Sequence, residues 1–179
     1  VALSGMVFGF MYGQWGWPLW LAILATAGFG ALCGALNGFL VAYIGFPALI
    51  ATLATFYAFK SLAIVINKQS PISTPPIQEL YSLSRSVELP VIGAQIPDVP
   101  LGIFTFLLPT VVIAWLLLAR TTYGRRLYAV GTNDVASLWA GQPVRGTRFA
   151  AYAMASLISG LVAVVTVAQF ASARPDAGV

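Results

Sequence analysis

The first charged side chain in the sequence is Lys60, so 59 consecutive residues carry no formal charge. A single membrane-crossing helix needs about 20 such residues, and the run therefore holds more than one crossing. Only 8% of the chain is charged, where an ordinary soluble domain carries about a quarter, so this surface could not be kept in water. The expected fold class is all-α, a polytopic transmembrane helix bundle.

Local punctuation divides the bundle. Val1 to Tyr12 is too short to cross alone and is read as the end of a span. Gly13-Gln14-Trp15-Gly16-Trp17-Pro18 reads as an interfacial turn, because indole favours the headgroup level and proline suits a helix start. Complete spans are expected at 19–43, 48–66, 101–119 and 149–173, the third with Pro109 as a kink point. They are separated by Gly45-Phe46-Pro47, a proline-rich loop over 67–100 and an arginine-rich loop over 120–148. Gly30, Gly34 and Gly38 recur every fourth residue and share one helix face. Such a strip lets a second helix approach closely, which matters in lipid, where apolar burial alone does not hold helices together. In the last span Ala151, Ala155, Ser159 and Ala163 make one small-residue strip, and Ser156 and Gly160 another. The chain begins in apolar sequence and stops just after Arg174-Pro175-Asp176, as expected of part of a longer polypeptide with no cleavable signal.

Charge sets the orientation. The 120–148 loop holds Arg120, Arg125, Arg126, Arg145 and Arg148 against Asp134, whereas the 67–100 loop sets Lys68 and Arg85 against Glu79, Glu88 and Asp98. By the positive-inside rule the arginine loop is cytoplasmic and the proline-rich loop external. These arginines are read as topology determinants beside membrane lipid, and no nucleic-acid partner is expected. Lys60 near the external end of its span is an anchor that snorkels first and a pore-entrance charge second.

Several kinds of enzyme chemistry are excluded by what the sequence omits. It has no histidine and one cysteine, Cys33, so a metal site of the usual ligands and Ser-His or Cys-His nucleophiles are absent. No span carries two carboxylates, and no glycine-rich GxxxxGK[ST] loop is present to cradle phosphates. Neither a cofactor nor catalysis is expected.

What remains is a short helix in the arginine loop and a few intramembrane polar groups. Asn133 can cap a helix, Asp134 favours its positive start, Gly141 suits the left-handed position after its end, and Pro143 stops continuation. The spacing predicts a helix over 134–140, with Val135, Leu138 and Trp139 on one face and Ala136, Ser137 and Ala140 elsewhere. It reads either as a docking element or as a helix lying on the headgroups with Trp139 as anchor. Asn37, Thr52 and Thr55 either line a translocation path or bond within the helices, the commoner fate of membrane amides and threonines.

Three motifs in this order carry a resemblance: Cys33-Gly34-Ala35-Leu36-Asn37-Gly38-Phe39-Leu40-Val41, Phe46-Pro47-Ala48-Leu49-Ile50-Ala51-Thr52-Leu53-Ala54-Thr55, and Tyr123-Gly124-Arg125-Arg126-Leu127-Tyr128-Ala129-Val130-Gly131-Thr132-Asn133. With the ending Ser172 to Gly178, they resemble the permease subunits of sugar-importing ABC transporters of the ribose, xylose and autoinducer type. The resemblance implies a permease of about ten spans, of which this chain is the middle portion. It further implies cytoplasmic ATP-binding subunits, a periplasmic sugar-binding protein and a second permease copy or homologue as partners. The family's ATPase-contacting pattern falls on Asn133, Asp134, Val135, Ala136, Ser137, Leu138, Trp139 and Gly141, with Val135 where the family places alanine. An ion- or proton-driven transporter and a non-transporting assembly subunit are the alternatives. The first would need intramembrane acids or histidines to carry its coupling ion.

Overall fold

The computed structural model describes residues 1–66, 71–78 and 108–174. Helix α1, Ala2–Phe8, continues into a π-helical turn, Gly9–Gln14; α2, Leu19–Phe39, likewise continues into Leu40–Ile44; and α3 is Ala48–Ile66. Beyond the proline-rich stretch come α4, Leu108–Arg120, α5, Thr122–Thr132, α6, Asp134–Trp139, and α7, Val144–Phe170. Among the described residues, Leu19–Ile44, Ala48–Ile66 and Val144–Phe170 are long and apolar enough to cross a membrane.

The bundle is organised by the contact of α2 with α7. A Cβ built on Gly34 would lie 2.5 Å from the Tyr152 carbonyl oxygen, and one on Gly30 would lie 2.6 Å from that of Ser156. On Gly38 it would stand 2.9 Å from the Phe149 carbonyl, and on Gly160 of α7 it would stand 2.9 Å from that of Thr26. The two backbones therefore touch along the glycine strip, and the Ser156–Gly160 strip is its counterpart on α7. Thr26, fully buried in this seam, donates its hydroxyl to Ala22 O at 2.7 Å and so leaves no polar atom unmet. The other α7 strip is split: Ala163 is fully buried, whereas Ala155 is exposed.

At the tryptophan end the chain closes on itself. Residues 71–78 fold back over the ends of α1 and α7: Ile72 and Ala173 exchange two backbone hydrogen bonds of 2.9 Å, and Ile77 is fully buried. Leu3, Met6, Phe8, Val164 and Val167 complete this core. Gly9 and Gly13 make room for it, since a Cβ on Gly13 would meet the Thr74 hydroxyl at 2.6 Å. This part of the proline-rich loop is therefore packed on the bundle. The remainder, including Glu79, Arg85, Glu88 and Asp98, lies outside the described residues, as do Lys68, residues 101–107 of the expected third span and 175–179 of the ending.

The arginine end is more helical than its charge suggests. Thr121 starts α5 by accepting the Gly124 N–H at 3.2 Å, turning the chain sharply after α4. Pro143 precedes α7, which begins at Val144, ahead of the span expected from Phe149. Arg145 and Arg148 therefore belong to the first two turns of α7, where the hydrogen-bonded helix carries them out of the apolar span.

Candidate functional site

A cavity of about 330 Å³ lies between α1, α2, α3 and α7. Its polar wall includes Ser4 from α1, Asn37 from α2, Thr52, Thr55 and Lys60 from α3, and Ser156 and Ser159 from α7. The structure thus brings the three path candidates Asn37, Thr52 and Thr55 together on one cavity, and each also bonds within the bundle. The Thr52 hydroxyl donates to Ala48 O at 2.8 Å. That of Thr55 lies 2.6 Å from Asn37 Oδ1, 3.0 Å from Ala51 O and 3.1 Å from Thr52 O. A hydroxyl has one proton, so it satisfies one of these acceptors at a time. Asn37 and Thr55 therefore link α2 to α3 through groups that can exchange partners with a solute.

Sequence reasoning gave the rest of this wall other first readings. Lys60 lines the cavity, where an anchor snorkelling to the surface was the first expectation. Ser156 and Ser159 were visible only as small residues on packing strips, and no sequence signal separates a serine that packs from one that faces a void. The wall offers hydroxyls, a carboxamide and an ammonium, which suit hydrogen bonding to a polar solute and supply no activated nucleophile.

The second site is α6 at the arginine end. Asn133 accepts the Ala136 N–H at 3.0 Å through its side-chain oxygen, and Gly141 at φ +74° carries the chain out of the helix. The helix ends at Trp139, with Ala140 already in the turn. Ser137 is buried toward the bundle, while Val135, Leu138 and Trp139 are 63%, 64% and 86% exposed. A capped helix too short to stand alone therefore presents three apolar side chains outward. Asp134 pairs with Arg148, which ties α6 to α7. Both side chains are nearly half exposed, so the pair contributes at most about 1 kcal/mol. The Tyr123 hydroxyl donates to Thr147 O at 3.3 Å, and burial raises its pKa above the usual phenol value.

The other arginines of this end are peripheral. Arg125, Arg126 and Arg145 are exposed, and Arg120 lies over the Trp115 ring at 5.9 Å.

Asn133→Ala should remove the cap bond at a cost of about 1 kcal/mol to α6. Amide exchange should then accelerate at Ala136 and Ser137 while α7 amides keep their rates. Unchanged exchange at Ala136 would show that the cap does not hold this helix.

Comparison with known proteins shows the family. The family described as branched-chain amino acid transport system / permease component matches residues 1–179. The autoinducer 2 import system permease protein LsrD of Klebsiella pneumoniae is 32% identical over 180 residues, covering 99% of this chain and 52% of that protein. The Escherichia coli K12 protein of the same name is 34% identical with the same coverage, and that of an Enterobacter species 31%. The chain spans about half the length of these curated relatives. No solved structure matches it. The family match over residues 1–179 and the apolar helices agree on a multi-pass inner-membrane protein, and the chain belongs to the branched-chain amino acid transport system / permease component family.

Proposed function

We propose that the chain is the central part of a permease subunit through which an ATP-driven importer moves a small polyhydroxylated solute. The observation that carries this reading is the cavity, whose polar groups come from four helices otherwise dominated by apolar side chains. Keeping such groups in a membrane bundle costs free energy unless they meet one another or a solute. Asn37, Thr52, Thr55, Ser156 and Ser159 are the groups a sugar would meet, while Gly30, Gly34 and Gly38 hold α2 against α7 as the path changes shape. The arginine-rich end faces the cytoplasm, with Arg120, Arg125, Arg126, Arg145 and Arg148 as the charges that set this orientation. There α6, from Asp134 with its Asn133 cap to the Gly141 turn, meets cytoplasmic ATP-binding subunits. Closure of those subunits shifts the helix and rocks the packed spans between outward and inward openings. A periplasmic binding protein delivers the solute, and a second permease copy or homologue completes the pair.

The test is uptake by the full-length permease, reconstituted in vesicles with its ATPase and binding protein, using ribose and autoinducer 2 as probes. Accumulation should require ATP inside the cytoplasmic compartment and survive a protonophore. Uptake that continues without ATP and collapses with the protonophore would establish an ion-driven transporter instead.

A further inference from the structure

The cavity contains a charge that the transport reading leaves unused. Asp134 is the only carboxylate among the described residues; it is paired with Arg148 on α6 and α7, and it is not on the cavity wall. Lys60 shares that wall with the Asn37–Thr55 pair, Ser156, Ser159 and the native thiol Cys33. Among the described residues no acid neutralises it. An ammonium in a membrane bundle is costly, and such a group usually marks an ion or solute pathway. An ammonium has three donors and no acceptor, so its complements are oxygen-rich solutes and anions. It also repels every cation entering the same space, and the low-dielectric surroundings strengthen that repulsion.

We propose that Lys60 is the charge-selecting residue of the cavity, admitting neutral polyols and oxyanion-bearing solutes and excluding cations, aminosugars included. This rests on the cavity being part of the transport path, and it adds a function to that path: a permease that opens to both sides in turn must not pass inorganic cations. A fixed positive charge on the cavity wall meets that need in whichever direction the path is open.

Cys33 supplies a reporter already on the wall. Its modification rates by the anionic sulfonatoethyl and cationic trimethylammonioethyl methanethiosulfonates would be compared in the full-length permease complex, with any cysteines outside residues 1–179 replaced by serine. Lys60→Met and Lys60→Gln should each lower the anion-to-cation rate ratio on the order of tenfold, whereas Lys60→Arg should preserve it. Two neutral variants guard against one that fails to fold. A ratio unchanged in both neutral variants overturns the proposal. If neither reagent reaches Cys33 with or without ATP, the cavity is not in the path, and both this inference and the path assignment fall. If the ratio shifts as expected while uptake proves independent of ATP, the selecting role of Lys60 stands and the ATP-driven reading does not.

Discussion

Gly34→Ala should destabilise the permease by about 3 kcal/mol, an unusually large penalty for one methyl group. The added carbon would lie 2.5 Å from both the Tyr152 carbonyl oxygen and the Ser156 Cβ. The carbonyl belongs to the hydrogen-bonded backbone of α7 and cannot rotate away like the end of a flexible side chain. Relief requires α2 and α7 to separate, which loosens the contacts at Gly30, Gly38 and Gly160 together. Gly28 is the internal control, because a Cβ built there meets nothing within 4 Å. Gly28→Ala should be neutral or stabilising by about 0.5 to 1 kcal/mol, since alanine is the better helix residue. Denaturation of the two purified full-length variants in bicelles checks both outcomes. Equal effects would mean that the glycine strip does not form the helix seam.

The contrast between Gly34 and Gly28 also shows what the sequence makes legible. Four-residue spacing identifies Gly30, Gly34 and Gly38 as one face, and the Ser156–Gly160 strip supplies a face of the same character. Their pairing with each other is a register fact that only the assembled bundle contains. The ends of α6 were equally legible, because Asn133 and Gly141 act through local backbone geometry within a few residues. Helix α5 was hidden by its own composition: Arg125, Arg126 and the glycines Gly124 and Gly131 read as loop, and the Thr121 cap and packing against α4 override that preference.

The cavity was the least legible feature. Helix α3 is apolar on nearly every face, with Leu49, Ile50, Leu53, Phe56 and Tyr57 all exposed, so periodicity does not show which side Lys60 occupies. The link between Asn37 and Thr55 depends on the crossing of α2 with α3, which sequence spacing cannot report. Nor does the proline count of the 67–100 stretch reveal that Ile72 and Ile77 bury themselves against α1 and α7. That packing depends on two distant glycines, Gly9 and Gly13, leaving space for it.

Leu138→Glu combined with Trp139→Glu should reduce transport-coupled ATP hydrolysis at least on the order of tenfold while leaving the permease folded, because truncating or charging a central aromatic anchor typically costs an interface 2 kcal/mol or more. The structure separates these two effects. With exposures of 64% and 86%, the two side chains contribute little to the core of this chain, and Ser137 on the opposite face keeps α6 seated. New carboxylates at the end of the helix also oppose its dipole, but only by some tenths of a kcal/mol, too little to account for a tenfold loss. Two interpretations of the exposed apolar face then give different results. If α6 docks in a groove of the ATP-binding subunit, the double variant should fail to co-purify with that subunit and should lose solute-stimulated hydrolysis. If α6 instead lies on the headgroups with Trp139 as its anchor, the subunits should remain associated and coupled. In the unsubstituted permease, the Trp139 emission, taken as the difference from a Trp139→Phe variant, should then be quenched by brominated lipid. Retained coupling in the double variant would remove α6 as the point where the ATPase drives the bundle, and the Asp134–Arg148 tie would then serve only to hold α6 beside α7.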